Sequence, residues 1–208
     1  MKNNPYQGKF IVIEGLDGSG QTTQTALLKD FLEKNGFPVL STKEPTMDSE
    51  AGKKIRAILD EKVSIESMEL QKLFTEDRRQ HLANRIVPAL QAGQMVISDR
   101  YYFSTFAFGA SDGLGLEELI AMNDEFLLPD LTIVLQVSPA VCIARIQKRG
   151  TPVTLFEKEQ KLARVWQTYA MMPKRFPNVH VVDGERPIEE IAEEIKQLAQ
   201  STLNISKE

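Results

Sequence analysis

Apolar residues occur along the chain in two patterns, short continuous runs and longer stretches in which they recur at helical spacing. Short continuous runs are typical of strands that are buried on both faces of a parallel sheet. We predict strands at residues 9–14, 37–42, 95–98, 131–137 and 179–182. We predict helices around the apolar repeat at 27–32, which stops at Asn35-Gly36, and at 49–59, 64–90, 102–109, 116–127, 139–149, 156–172 and 187–203.

The alternation of strands and helices predicts an α/β fold. Right-handed strand–helix–strand units of this kind produce a parallel sheet with helices on both faces. The chain of 208 residues contains 42% apolar and 26% charged residues, which is the composition of one globular domain. No linker, internal repeat or low-complexity tract interrupts the pattern. We therefore predict a single domain over residues 1–208, built on a five-stranded parallel sheet.

Charge and hydropathy limit the classes of partner. The 25 Lys and Arg residues against 29 Asp and Glu residues give a net charge of −4, which argues against a dedicated nucleic-acid-binding protein. The apolar runs fall short of the ~20 residues that a membrane-spanning helix needs, and residues 1–5 lack the apolar segment of a secretory signal. The single cysteine, Cys142, is compatible with a reducing compartment. We expect a cytoplasmic protein that binds neither nucleic acid nor membrane.

A glycine-rich segment follows the first predicted strand. Residues 15–22 read Gly-Leu-Asp-Gly-Ser-Gly-Gln-Thr, which fits the phosphate-binding loop pattern at every fixed position except the lysine. Glycines between a buried strand and a helix let backbone N–H groups turn toward a phosphate, and the helix adds the positive end of its dipole. The Thr22 hydroxyl would bind Mg²⁺. The segment predicts a site for nucleotide phosphates.

Gln21 stands where the loop pattern has lysine. A lysine places a full positive charge on the β- and γ-phosphates, whereas glutamine offers a neutral hydrogen bond of roughly half the strength. Two explanations are open. Either another cation compensates, or the chain binds nucleotide without transferring phosphate efficiently.

Charged side chains follow the next two predicted strands, at the carboxyl edge where ligands bind in open α/β sheets. Lys43 follows the second strand, and Asp99 and Arg100 follow the third. An aspartate in this position holds the hydration shell of Mg²⁺, and an arginine clamps a phosphate through its planar guanidinium. These residues are candidates for the missing positive charge and for the metal site.

A basic cluster ends the helix predicted at 139–149. Its members are Arg145, Lys148 and Arg149, and a Gly-Thr-Pro turn follows them. The turn predicts a lid that closes over phosphates. The alternative is a cation-rich helix end that the helix dipole favours and that has no ligand.

Phe74 and Arg78 lie four residues apart on the long helix and therefore share a face. An aromatic ring beside a guanidinium can stack on a base and bond to its edge, although phenylalanine at helical spacing is more often a core residue. The two histidines, His81 on a helix face and His180 inside a strand, suggest no catalytic role. No cysteine or histidine cluster has metal-ligand spacing.

In their order along the chain, these segments resemble the thymidylate kinase family of P-loop nucleoside monophosphate kinases. The resemblance covers nearly the whole chain and implies the three-layer fold of P-loop NTPases. The loop at 13–24 is similar to that of the family except at Gln21, and Lys43-Glu44-Pro45 resembles its Arg-Glu-Pro. The other similar segments are the helix at 74–81, Asp99-Arg100-Tyr101 and Pro129-Asp130-Leu131-Thr132.

The resemblance implies an enzyme, a homodimer, that transfers phosphate from ATP to dTMP with Mg²⁺. The residues implied to hold the ATP phosphates are Gly15, Asp17, Gly18, Ser19, Gly20, Gln21, Thr22 and Thr23. Those implied to bind dTMP are Asp17, Lys43, Glu44, Phe74, Arg78, Arg100, Thr105, Phe108 and Glu157. The implied catalytic residues are Lys43, Asp99, Arg100 and Arg149, and the implied metal-binding residues are Thr22 and Asp99.

Within this set the resemblance implies particular roles. Phe74 would stack on the thymine and Arg78 would bond to its edge. Phe108 would exclude a ribose 2′-hydroxyl. A lid at about 145–157 would bring Arg149 to the transferred phosphate.

Three departures from the family pattern affect these expectations. Gln21 replaces the loop lysine, and Thr154-Leu155 stands where many bacterial members have Asp-Arg. Phe108-Gly109 lacks the glutamine that bacterial members often use near the base. Two alternatives therefore stay open: a nucleotide-binding protein with weak or lost kinase activity, and a kinase for another acceptor such as dUMP or a deoxynucleoside.

Overall fold

A parallel sheet forms the centre of the structure. The computed structural model describes residues 1–60, 63–148 and 155–204, with the backbone alone at 155–158. The strands are β1 (Lys2–Asn3), β2 (Phe10–Gly15), β3 (Val39–Lys43), β4 (Met95–Asp99), β5 (Leu127–Leu128), β6 (Leu131–Gln136) and β7 (Val179–Asp183). The main sheet has the order β3-β4-β2-β6-β7, and every neighbouring pair is parallel. The predicted five-stranded parallel sheet is confirmed.

Helices connect these strands and cover both faces of the sheet. They are α1 (Gln21–Lys34), α2 (Glu50–Leu59), α3 (Ser67–His81), α4 (Val87–Gln91), α5 (Tyr102–Ser111), α6 (Leu116–Met122), α7 (Pro139–Lys148), α8 (Leu155–Arg175) and α9 (Ile188–Leu203). The helix predicted at 64–90 is divided, because a π-helical segment at Leu82–Ile86 joins α3 to α4. Apolar spacing does not reveal such a local change in winding.

Two other boundaries differ from the prediction. The helix predicted at 116–127 ends at Met122, where the Asn123 side chain donates to the carbonyl of Leu119. The chain then turns, so that β5 pairs in parallel with β1, and neither of these two short strands was predicted. The helix predicted at 156–172 continues to Arg175, because backbone hydrogen bonds extend past the last apolar repeat.

Two apolar cores lie on opposite faces of the sheet, because alternate residues of each strand point to opposite sides. Phe10 and Val12 of β2 belong to the core covered by α4, α5 and α8. Ile11 and Ile13 belong to the core covered by α1 and α9. The structure therefore has the predicted three layers. No helix in the described part of the chain is long and apolar enough to span a membrane.

The register of the strands brings the predicted polar residues to one edge of the sheet. Ile13 of β2 and Lys43 of β3 both pair with Asp99, the last residue of β4. Gly15 ends β2 next to them. Parallel strands thus place the glycine-rich loop, Lys43 and Asp99 at the same carboxyl edge.

Gly18 and Gly20 offer a matched test of how closely the loop packs on α7. Both have left-handed backbone angles, with φ of 88° and 106°. A Cβ on Gly18 would lie 2.7 Å from the carbonyl oxygen of Cys142, whereas a Cβ on Gly20 would meet no atom within 4 Å. We expect Gly20→Ala to lower the free energy of unfolding by about 1–2 kcal/mol through backbone strain, and Gly18→Ala to lower it by more. Urea denaturation measures both, and equal losses would contradict the prediction.

Candidate functional site

The glycine-rich loop connects β2 to α1 at the carboxyl edge of the sheet. The N-cap residue of α1 is Gly20. Because glycine has no side chain, no N-cap group competes for the N–H groups of the first helical turn, which leaves them to an anionic ligand. The positive end of the helix dipole lies at the same point. The loop therefore has the geometry of a phosphate site.

The Gln21 side chain is buried beneath this loop and points back along it. Its Nε2 donates to the carbonyl of Gly15 at 3.0 Å, and its Oε1 accepts from the Arg100 guanidinium at 3.4 Å. The glutamine thus links the start of the loop to the start of α1. It also provides an acceptor for a cation that comes from the neighbouring strand.

Arg100 brings that positive charge to the loop. Its Nη1 donates to the carbonyl of Gly15 at 3.0 Å, and its Nη2 lies 2.7 Å from the Asp17 carboxylate. Burial opposes the charged form, but Asp17 raises the pKa of the Arg100 guanidinium above its ordinary value, so the group stays cationic. Its backbone has a φ of 76°, a strained conformation for a residue with a side chain and one that is often found at functional sites.

Thr22 and Asp99 are also brought together. The Thr22 hydroxyl donates to the Asp99 carboxylate at 2.6 Å, and the Lys43 ammonium lies 3.4 Å from the same carboxylate oxygen. These oxygen donors suit Mg²⁺, which is usually held by one or two protein groups, substrate phosphates and water. Among the described residues, no group of three or more His, Cys, Asp and Glu side chains could hold a metal alone.

A polar cleft lies over the loop. Its walls are Asp17, Gly18, Gly20, Gln21, Thr22, Thr23, Lys43, Arg56, Asp99, Arg100 and Ile146. Every one of these except Arg56 and Ile146 was predicted from the sequence. Arg56 lies on α2, away from any motif, and only the tertiary structure, in which α2 packs on α3, brings it to the cleft. Sequence pattern offers no signal for it.

A second, more apolar cleft adjoins the first. Its walls are Asp17, Glu44, Pro45, Leu59, Gln71, Phe74, Arg78, Arg100, Tyr101, Ser104, Thr105 and Phe108. Asp17 and Arg100 line both clefts, so the two adjoin at these residues. Phe108 lies under the Arg100 guanidinium, with 5.5 Å from Cζ to the ring centre. An aromatic cleft that meets a polar cleft at an arginine suits two phosphorylated ligands placed end to end.

Arg78 lies buried in the wall of the apolar cleft, where much of its hydrogen-bonding capacity is already used. Its Nε donates to Glu44 at 2.9 Å, its Nη1 to Asn123 at 2.6 Å, and its Nη2 to Thr105 at 3.3 Å. His81 lies 3.1 Å from the other oxygen of Glu44. Because Glu44 is paired and buried, it fixes the guanidinium in one orientation.

Comparison with known proteins identifies the family that has this arrangement. A sequence model described as thymidylate kinase matches residues 13–195. The chain belongs to the thymidylate kinase family. A protein of Pyrococcus horikoshii named probable thymidylate kinase is 42% identical over 205 residues, covering 95% of this chain and 98% of that protein.

Two further relatives extend the thymidylate kinase comparison. A probable thymidylate kinase of Archaeoglobus fulgidus is 38% identical over 199 residues, covering 95% of this chain and 98% of that protein. A thymidylate kinase of Desulfotalea psychrophila is 33% identical over 207 residues, covering 99% of this chain and the whole of that protein. The similarity therefore includes the sheet, both clefts and the helices around them.

In this thymidylate kinase family member, Glu14 lies buried beneath the loop and was not predicted as a site residue. Its Oε1 accepts from the backbone N–H of Tyr101 at 2.8 Å, and its Oε2 accepts from Ser104 at 2.6 Å and Tyr169 at 2.9 Å. Ser104 in turn accepts from Arg100 at 3.0 Å. A charged residue inside an apolar strand was the sequence signal that could have revealed this network.

The lid predicted at about 145–157 is only partly described. Arg149, residues 150–154 and the side chain of Glu157 lie outside the described residues. Arg145 donates to the carbonyls of Ser19 at 3.2 Å and Gly184 at 3.1 Å. This arginine therefore supports the backbone of the loop.

The buried Glu14 carboxyl predicts a pH dependence of stability. Desolvation raises the pKa of Glu14 above its ordinary value of 4.5, although Arg100 and the hydrogen bonds oppose the shift. Because its pKa is raised, the folded state binds this proton more tightly than the unfolded state does. The resulting stabilisation is present below pH 4.5, the ordinary value, and is lost as the pH rises through the pKa of the folded state. Glu14→Gln keeps the acceptor for Tyr101 and can donate to Ser104 and Tyr169. We therefore expect the free energy of unfolding of Glu14→Gln not to show this decline as the pH rises.

Urea denaturation between about pH 4 and pH 8 measures the difference. Glu117→Gln is the control, because hydrogen bonding to Arg175 lowers the pKa of that exposed carboxyl and gives a pH dependence of the opposite sign. Parallel pH profiles for the wild type and Glu14→Gln would contradict the assignment.

Proposed function

We propose that the chain phosphorylates dTMP with ATP, giving dTDP and ADP. The observation that carries the proposal is that the polar cleft over the loop and the aromatic cleft meet at Asp17 and Arg100. Membership of the thymidylate kinase family and the names of the relatives support it. They do not favour a nucleotide-binding protein that lacks kinase activity.

The aromatic cleft would hold dTMP. Phe74 would stack on the thymine, as an aromatic side chain does on any base, with Arg78 and Thr105 at the edge of the ring. The acceptor phosphate would then reach Arg100 and Lys43. Phe108 stands beside Arg100, where it would exclude a ribose 2′-hydroxyl, and Asp17 would face the 3′-hydroxyl of the sugar.

The loop would hold the ATP phosphates through its backbone N–H groups. We propose that Thr22 and Asp99 hold Mg²⁺, which would neutralise charge on the phosphates. The chain's own part is to align donor and acceptor in the joined clefts and to surround the transferred group with fixed positive charge. Such transfer depends on positioning and electrostatic stabilisation, and it needs no covalent intermediate.

Arg100 is the best placed substitute for the missing loop lysine. Its Nη1 donates to the Gly15 carbonyl at 3.0 Å and its Nη2 donates to the Gln21 Oε1 at 3.4 Å, so its charge lies at the loop itself. Lys43 and Arg56 line the same cleft and add to the positive field. We propose that Arg149 reaches the transferred phosphate from the lid, and that Glu157 contacts the acceptor.

From the length, composition and apolar pattern of the sequence we also propose a single domain over 1–208, with a lid at about 145–157, and a cytoplasmic location. A homodimer is proposed from the family resemblance alone. Separate assays of oligomeric state test the dimer.

The activity is tested by coupled ADP release with ATP and Mg²⁺, with dTMP, dUMP and thymidine as parallel acceptors. We expect turnover with dTMP at roughly 1–100 s⁻¹, the range of kinases. We expect thymidine to be inactive, because it has no phosphate for Arg100 and Lys43. Turnover of dUMP above that of dTMP would identify a different acceptor, and no turnover with any of them would refute the proposal.

If Arg100 supplies the positive charge of the missing loop lysine, substitutions at Arg100 and at Gln21 will have different effects on kcat. Arg100→Ala is expected to lower kcat at least about 10³-fold, because an arginine at the transferred phosphate contributes that much in related enzymes. Gln21→Lys is expected to change kcat less than about tenfold, because the new cation would repel Arg100 and remove its acceptor. Arg186→Ala, outside both clefts, serves as the control. An almost inactive wild type that Gln21→Lys restores would show that Arg100 does not compensate.

A further inference from the structure

Two polar side-chain atoms in the wall of the aromatic cleft have no partner among the described residues, the Oε1 of Gln71 and the hydroxyl oxygen of Tyr101. Gln71 is 2% exposed and lines the cleft, and among the described residues none bonds to its Oε1. Buried polar side-chain atoms are nearly always hydrogen-bonded in folded proteins. An unpartnered amide oxygen on a side chain that lines a cleft therefore suggests a hydrogen bond that a ligand completes.

The packing around Gln71 holds the side chain against the cleft. Gln71 lies on α3, and Phe74, one turn further on, lines the same cleft. A Cβ on Gly109 of α5 would lie 3.4 Å from the Cγ of Gln71, so the stem of the side chain packs directly on the α5 backbone. The amide therefore lies at the junction of α3 and α5, near the predicted position of the base.

Two of the polar groups that line the cleft beside Gln71, those of Arg78 and Thr105, are more fully used. Arg78 already donates to Glu44, Asn123 and Thr105. Thr105 is itself an acceptor in one of those bonds. Among the described residues of the wall, the Tyr101 hydroxyl is the other unpartnered polar group, but it is a single atom, whereas Gln71 carries a whole amide. In either orientation the amide presents one acceptor and one donor side by side.

A pyrimidine base with the thymine pattern presents the complementary pair. Its N3–H is a donor, and a ring carbonyl on either side is an acceptor. We propose that Gln71 is a specificity-determining residue whose Oε1 accepts from N3–H while its Nε2 donates to the adjacent carbonyl of the acceptor base. The inference rests on the proposed function, because it assumes that the aromatic cleft holds dTMP.

The test compares Gln71→Met with Gln80→Met. Methionine is close to glutamine in size but offers no such donor or acceptor. Gln80 lies on the same helix, donates to Glu76 and lines neither of the two clefts, so its variant is the matched control. The acceptors are dTMP and its N3-methyl analogue, which lacks the N3–H donor. Urea denaturation of each variant shows that it folds.

We expect Gln71→Met to raise the KM for dTMP roughly tenfold, with kcat within about twofold of wild type, because the lost hydrogen bonds serve binding. We also expect the preference for dTMP over the N3-methyl analogue, measured as kcat/KM, to fall roughly tenfold in Gln71→Met. Gln80→Met is expected to keep the KM and the preference of the wild type. A purely packing role would leave the preference unchanged.

Three outcomes would overturn the inference. One is an unchanged KM for dTMP in Gln71→Met, and another is an unchanged preference against the N3-methyl analogue. A third is an equal loss in both variants, which would indicate a general effect on α3. If the wild type itself does not phosphorylate dTMP, the proposed function fails and the inference fails with it, which separates that result from the other three.

Discussion

The contact of the Arg100 guanidinium with the glycine-rich loop is the interaction on which the site depends. The backbone N–H of Arg100 donates to the carbonyl of Ile13 at 3.0 Å, so the pairing of β4 with β2 continues to the residue that bears the charge. The guanidinium then bonds to Gly15 and Asp17. Because Arg100 borders both clefts, its position sets the line along which two bound ligands would meet.

A buried polar network supports that contact from below. Glu14 accepts hydrogen bonds from α5 and α8 and lies next to the loop in sequence. Its burial raises its pKa, which shows that the fold retains a carboxyl in a place where its charged form is disfavoured. Glu14 accepts from Tyr169 of α8 and from Ser104, and Ser104 accepts from Arg100, so α8, the helix that follows the predicted lid, is linked to the phosphate site through Glu14 and Ser104. Such a network is stable only when its members are all bonded.

Gln21 changes how charge is distributed around the loop. The neutral Gln21 side chain bonds to the loop backbone and to Arg100. Among the described residues, the cations of the polar cleft are Lys43 at the end of β3, Arg56 on α2 and Arg100 directly after β4. The positive charge is therefore carried by separate elements whose positions depend on the whole fold. The aromatic cleft likewise depends on the packing of separate elements, because α3 and α5 each supply part of its wall.

The order of strands and helices, the parallel sheet and the phosphate loop were determined by the sequence itself. They rest on local patterns, which are apolar runs, helical spacing and glycines after a strand. The division of α3 from α4, the pairing of β1 with β5, and the roles of Glu14, Arg56 and Gln71 were decided only by the tertiary structure. A buried carboxyl or an unpartnered amide acquires its significance from neighbours that are distant in sequence, and no local pattern encodes those neighbours.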